Sequence, residues 1–307
     1  MTEAIPNPFT NRGVIADPDD FFGRQEELNE IFTRLRNMQS SSIVGDRRIG
    51  KSSLLYHLAQ IGTQRLRDPH YRFVYLDLQD AHYHTAVGFL QTVLQKLDIN
   101  AETIQTENTL NRNLIAFSDA LETLENTGQY IVLCLDEFEN TFKHREQFTE
   151  DFFDHMRAQL NIRKLAFVTA TQHPLQRLSL EGKLTSPFYT LFTVVELGEF
   201  AEADAYKFLV NQNRKAHFTD GEFEFIFNYL QLHPLKLQIL CDWVVKNRQR
   251  RLPERDLAAE ITKEFGNFFV GTFSPRQFLR LKRTVSLSQI KRLLEAVKAG
   301  RDLLSDS

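Results

Sequence analysis

From Ser41 to Ser53 the chain passes from a short apolar strand ending in Ile43 and Val44, through Gly45-Asp46-Arg47-Arg48-Ile49-Gly50-Lys51-Ser52, into the apolar start of a helix. The segment fits G-x-x-x-x-G-K-[ST], and it lies between a strand and a helix, as that pattern's mechanism requires. Gly45 and Gly50 let the backbone turn so that successive N–H groups point inward. The helix opening at Lys51 adds the positive end of its dipole. An anion is what such a cup holds. Arg48, Ile49 and Ser53 complete the expected lining, with Lys51 reaching the β- and γ-phosphates of a nucleotide. The Ser52 hydroxyl is the expected ligand for Mg²⁺, an ion that keeps most of its waters and takes few protein oxygens.

A second stretch answers the first. Tyr130 to Leu135 is a continuous apolar run that ends abruptly in Asp136 and Glu137. Such a run suits a central strand buried on both faces, and in a parallel sheet ligands bind beyond the carboxyl ends of the strands. Asp136 is therefore expected to hold the metal through water, and Glu137 to orient and polarise an attacking water. The expected catalytic set is Glu137, Asp136 and Lys51, and the expected metal set is Ser52 and Asp136. A further buried strand, Lys164 to Thr171, ends in hydroxyls, and Thr169, Thr171 or Gln172 is placed to sense the γ-phosphate. The plainer alternative is a strand that merely ends in polar residues.

Other apolar strands are expected at Arg72 to Leu78 and Phe192 to Leu197. Between the strands lie helical patterns, among them 85–97, 111–124 and 146–160. From Glu199 onward only helical periodicities remain, at about 202–213, 220–230, 234–248 and 254–264, with Pro234 at a helix's first position, where proline fits. The expected division is an irregular lead-in over 1–22, an α/β core over 23–198, a helical domain over 199–267 and a basic helical tail over 268–307. Arg24, at the start of the first helix, reads either as a solvated charge or as a contact from the lead-in to the nucleotide.

With 42% hydrophobic and 25% charged residues in 307, the chain can bury a sizeable core, and a net charge of -3 gives the whole molecule no electrostatic footprint of a nucleic-acid binder. A local basic face remains in the tail, where Arg276, Arg280, Lys282, Arg283, Lys291 and Arg292 stand among leucines. It reads as a solvated helix face or as a surface for nucleic acid or an acidic partner. Two cysteines, Cys134 and Cys241, lack metal-type spacing and read as small core residues. No apolar run reaches the length of a membrane span and no secretion signal is evident, so a cytoplasmic location is expected.

Taken together, the phosphate loop, the Asp-Glu strand, the polar fourth strand and the helical segment resemble the AAA+/STAND branch of P-loop ATPases. The Asn7-Pro8-Phe9 lead-in, Phe22-Gly23-Arg24, the Arg47-Arg48-Ile49-Gly50-Lys51-Ser52-Ser53 loop and His233-Pro234 carry the resemblance toward STAND. The resemblance implies a three-layer α/β P-loop NTPase core with a five-stranded, mostly parallel sheet of the additional-strand (ASCE) type, followed by an α-helical lid. It also implies ATP or ADP with Mg²⁺ as ligands, Arg24 near the adenine, and His233 and Pro234 closing over bound nucleotide. Two departures temper it: related sequences often carry arginine where Gln172 stands, and no arginine lies between Glu181 and Leu197, where ring-forming relatives place a finger. The implied function is a slowly hydrolysing switch in signalling or regulation, acting through lid movement or self-association. The alternatives are a nucleic-acid-associated regulator and a nucleotide-stabilised scaffold.

Overall fold

Along β3 (Tyr130–Asp136), Ile131, Leu133 and Leu135 pack into one apolar core while Val132 and Cys134 pack into another. Successive side chains on a strand point to opposite faces, so this alternation means that both faces of the sheet are covered. β4 (Leu165–Thr171) repeats it, with Leu165 and Phe167 on one face and Ala166, Val168 and Ala170 on the other. The computed structural model describes residues 7–10, 13–161, 164–228, 232–249, 260 and 263–264.

The remaining strands are β1 (Ser40–Val44), β2 (Tyr71–Asp77) and β5 (Phe192–Glu196), and the order across the sheet is β2-β3-β4-β1-β5 with every pairing parallel. β4 thus lies between the strand that feeds the phosphate loop and the strand that ends in Asp136. Two strand spacings, about 10 Å, separate these ends. The sheet is the additional-strand type expected, and wholly parallel.

On one face lie α1 (Gln25–Leu35) and α2 (Lys51–Leu66), burying Leu28, Ile31, Leu54 and Leu58. On the other lie α3 (Ala86–Lys96), α4 (Leu110–Asn126) and, further along the chain, a longer helix at Glu150–Asn161, burying Phe89, Phe117 and Phe152. The starts of α3 and α4 are capped by Thr85 and Thr109, whose hydroxyls accept the N–H groups of Gly88 and Arg112. Two features of the stretch after β3 depart from the sequence expectation. The pattern read as one helix over 146–160 begins only at Glu150, and α5 (Glu139–Lys143) forms directly after the acids, where Phe138 and Phe142 both reach the core. The Glu150–Asn161 helix is α6, and α7 (Leu175–Glu181) follows Pro174.

The chain divides into two compact units, Val14–Gly198 and Met1–Gly13 together with Glu199–Ser307. The second contains α8 (Glu202–Ala216), α9 (Asp220–Asn228) and α10 (Pro234–Gln249), with Pro234 at the first helical position as expected. Phe9 is buried in its core and stacks on Phe218 at 5.7 Å, and Asn7 Nδ2 donates to Asp242 Oδ1 at 2.7 Å. The lead-in read as one segment over 1–22 is therefore parted: Phe9 is drawn into the helical core, whereas Ala16 and Phe21 run along α2, with Gln60 Nε2 donating to Ala16 O and Phe21 stacked on His57. Most of the helix expected over 254–264, and all of the basic tail with Arg276, Arg280, Lys282, Arg283, Lys291 and Arg292, lie outside the described residues. Among the described residues, no helix is long and apolar enough to cross a membrane.

Candidate phosphate-binding site

The loop between β1 and α2 is shaped by its two glycines for different reasons. A Cβ on Gly45 would stand 2.5 Å from the backbone oxygen of Leu197, so any side chain there would push β5 away. Gly50 has open space around it but a φ of +105°, which L side chains rarely adopt. Arg48 also takes a left-handed conformation, at φ 62°. Leu197 N donates to Val44 O at 2.7 Å and Gly45 N to Thr171 O at 3.4 Å, which pins the loop's first residue between β5 and β4.

No side chain caps the start of α2, and its first turn holds no acid. An N-terminus with its N–H groups left to a ligand and no competing carboxylate is the arrangement an anion needs. Lys51 Nζ donates to the loop carbonyls of Gly45 at 2.8 Å and Asp46 at 2.9 Å. Burial pulls the pKa of this ammonium down, and the carboxylates of Glu137, Glu139, Asp136 and Asp46 act in the opposite direction. The lysine thus stands in the field of both acids that the sequence singled out. Ser53 Oγ accepts the N–H of Ile15 at 3.1 Å, tying the lead-in to the first turn of α2.

Asp136 is 3% exposed. Its Oδ2 accepts the Tyr75 hydroxyl at 3.0 Å and its Oδ1 the backbone N–H of Glu137 at 3.0 Å. Burial pushes its pKa up to about 6, while hydrogen bonds from Ser52 and Tyr75 pull it down. A buried carboxylate beside a serine hydroxyl, with its charge only partly compensated, is an oxygen-only donor pair that suits a hard divalent cation. The residues present therefore fit Mg²⁺. Glu137 follows in a left-handed conformation, φ 50°, which a non-glycine residue adopts at a cost of about 1 kcal/mol. Two bonds hold that turn, Phe138 N to Ala170 O at 3.1 Å and Asn140 N to Glu137 O at 2.9 Å.

At the end of β4, Thr171 is buried and its hydroxyl donates to His173 O at 2.8 Å, so it shapes the strand end. Gln172 has a second connection: its Oε1 accepts Arg47 Nε at 3.3 Å, and its N–H donates to Glu139 Oε1 at 3.3 Å. Arg24 is buried at 6% exposure rather than solvated. Its guanidinium donates to Ile49 O at 3.2 Å, Gly198 O at 2.7 Å and Glu27 Oε1 at 3.1 Å, which makes it a brace between the phosphate loop and the end of β5. Placement in the αL region at φ 67°, just before α1, aims it there. Ile49 is buried in the α1–α2 core. His233 and Pro234 belong to the helical unit, where His233 O accepts Leu237 N at 3.0 Å.

Two residues of this constellation escaped the sequence reading. Tyr75 looked like one more apolar strand residue, and only the pairing of β2 with β3 sets it beside Asp136. Glu139 stood two places past an assigned acid. Its half-buried carboxyl is pushed up chiefly by burial, and its Oε2 has no hydrogen-bond partner among the described residues. The Asp-Glu-Phe-Glu spacing carried a signal for it, since the intervening turn returns the chain toward β4. A separate cleft of about 770 Å³ runs between α1 and α2, lined by Arg36, Arg65 and Arg67 among others and by no residue of the phosphate loop.

In fold, the chain is similar to a Walker-type ATPase of Pyrococcus abyssi, at 17% identity over 94% of this chain and 93% of that one with a TM-score of 0.58. It is similar to the ORC2 protein of Aeropyrum pernix in its ADPNP–ADP complexes, at 12% identity over 94% and 82% with a TM-score of 0.57. Domain III of the replication initiation protein DnaA of Thermotoga maritima matches at 14% identity over 82% and 99%, with a TM-score of 0.53. No curated protein matches in sequence. The family model of the novel STAND NTPases, group 2, matches residues 33–260, more than half of the chain, and with a wholly parallel P-loop sheet in hand the protein belongs to that family of P-loop NTPases, in the AAA+/STAND class.

Proposed function

We propose that the protein binds ATP with Mg²⁺ in the loop 45–53 and hydrolyses it slowly, as a switch whose two states differ in bound nucleotide. The observation that carries this reading is the meeting of three side chains from two elements beyond the carboxyl ends of the strands: Lys51 from α2, with Asp136 and Glu137 from the end of β3, close enough to act on its charge. Lys51 would transfer its hydrogen bonds from the loop carbonyls to the phosphate oxygens. Mg²⁺, when bound between Ser52 and Asp136, would supply charge neutralisation for the β- and γ-phosphates. Glu137, aimed by its left-handed turn, would take a proton from the attacking water.

A switch needs energy differences rather than speed, which suits a chain with no arginine between Glu181 and Leu197. Moving a two-state equilibrium from 1:99 to 99:1 takes about 5.5 kcal/mol of differential affinity, a demand within reach of phosphate and metal contacts. In this reading His233 and Pro234 lie in the segment that responds to nucleotide, and the output is a protein partner or self-association in the cytoplasm. The likeness in fold to a domain of a replication initiation protein favours a second reading, a regulator that holds nucleic acid through the basic tail. A salt-dependent shift on DNA that is lost when Lys282, Arg283, Lys291 and Arg292 are neutralised would mark it.

The test is nucleotide binding and phosphate release by two variants. Lys51→Ala should lose ATP binding by at least about a hundredfold, and Glu137→Gln should keep binding while turnover falls by about a hundredfold or more. Wild-type affinity for ATP in Lys51→Ala overturns the site; equal phosphate release from Glu137→Gln and wild type leaves a nucleotide-stabilised scaffold.

A further inference from the structure

The two side chains assigned to the metal, Ser52 and Asp136, come from different elements, α2 and β3, and a tyrosine pair joins those elements at one point. Tyr75 of β2 is in register with Cys134 of β3, so its side chain shares a face with Asp136, two residues further on. Its hydroxyl donates to Asp136 Oδ2 at 3.0 Å, while Glu137 N holds Oδ1 at the same distance. Each carboxylate oxygen thus has its own donor, and the plane of the carboxylate is set. On its other side the Tyr75 ring meets Tyr56 edge-on, with centroids 5.2 Å apart and planes at 86°. Tyr56 stands four residues beyond Ser52, on the same face of α2 one turn along. Ring contact with α2 and hydroxyl contact with β3 therefore converge on one side chain.

We propose that Tyr75 is a positioning residue for the metal, setting the orientation of the Asp136 carboxylate relative to Ser52 so that the pair takes up Mg²⁺ with nucleotide. The inference rests on the ATP–Mg²⁺ reading above. Partners outside a metal's own ligands orient those ligands, and losing one typically costs ten- to a hundredfold in metal affinity. The plainer account is that a largely buried phenol finds whatever acceptor lies nearest. That account predicts a loss of stability when the hydroxyl is removed and no change in metal dependence.

Tyr75→Phe keeps the ring and its contact with Tyr56 and removes only the donor. Binding of a fluorescent ATP analogue is followed across a Mg²⁺ titration and in EDTA, with a thermal melt of each protein and turnover at saturating Mg²⁺. The expected result is a Mg²⁺ midpoint raised at least about tenfold, unchanged affinity in EDTA, and turnover restored by excess Mg²⁺. A midpoint equal to that of the wild type overturns the assignment, whatever the melt shows. In an Asp136→Asn background the Tyr75→Phe change should add no further shift; an undiminished shift there also overturns it. Should the wild type itself hold the analogue equally with and without Mg²⁺, the metal reading fails, which is distinct from a Mg²⁺-dependent wild type matched by its variant.

Discussion

Glu139 accepts the backbone N–H of Gln172 at 3.3 Å, so that the turn after β3 and the end of β4 are joined by a carboxylate that also acts on Lys51. Arg47, within the phosphate loop, reaches the same glutamine through its side chain. Gln172 is therefore a junction between the loop and the acids.

Glu139→Gln keeps an oxygen for Gln172 N and removes a negative charge from the neighbourhood of incoming phosphates. ATP binding should tighten by about fivefold, corresponding to roughly 1 kcal/mol for a half-buried charge several ångströms away at an effective dielectric near 20. Titration with ATP at fixed Mg²⁺ checks this, and weaker binding would show that Glu139 is needed in its charged form.

Asp136 makes the nucleotide-free protein pH-sensitive. Its folded pKa, about 6, lies above the ordinary 3.8, so the folded state holds this proton more tightly than the unfolded one. The stability it contributes is full below about pH 4, falls as pH rises from there to about 6, and is flat beyond. Urea melts of wild type and Asp136→Asn, compared from pH 4 to pH 7.5, should show the variant gaining on the wild type by on the order of 2 kcal/mol across that window. A constant difference would mean that Asp136 titrates normally.

Arg24 separates a structural brace from a ligand contact. Arg24→Ala leaves the buried carbonyl of Ile49 and the part-exposed carbonyl of Gly198 without this donor and should cost about 2 kcal/mol in urea unfolding without nucleotide, with ATP affinity falling as the loop loosens. Arg24→Lys should recover only part of that, because one ammonium on a flexible stem does not reproduce the fork of a guanidinium. Lost affinity with unchanged stability would point instead to the adenine contact that the family resemblance implies.

Much of the core was legible in the sequence because buried parallel strands are written as continuous apolar runs. Tyr130 to Leu135 and Lys164 to Thr171 needed no context to be read, and the loop of glycines and Lys51 announces its own geometry. The regions that differed had weaker local signals. The helix over 146–160 starts late because Phe138, Phe142 and Phe148 are all drawn to one core, a tertiary demand that overrides helical spacing. Phe9 sits in a stretch of turn-forming residues, and nothing local connects it with Phe218, more than two hundred positions away.

The sequence by itself determined which chemistry can occur, because a cup of backbone N–H groups, an amine, a hydroxyl and two acids are local patterns whose roles follow from residue type and spacing. Strand order was decided by the tertiary structure alone. Hydrogen-bond pairing of β2 with β3 and of β4 with both β1 and β3 set Tyr75 beside Asp136 and Gln172 beside Glu139 and Arg47. Period-2 alternation tells which face a side chain takes, but its neighbour across the sheet depends on which strand lies alongside and in what register.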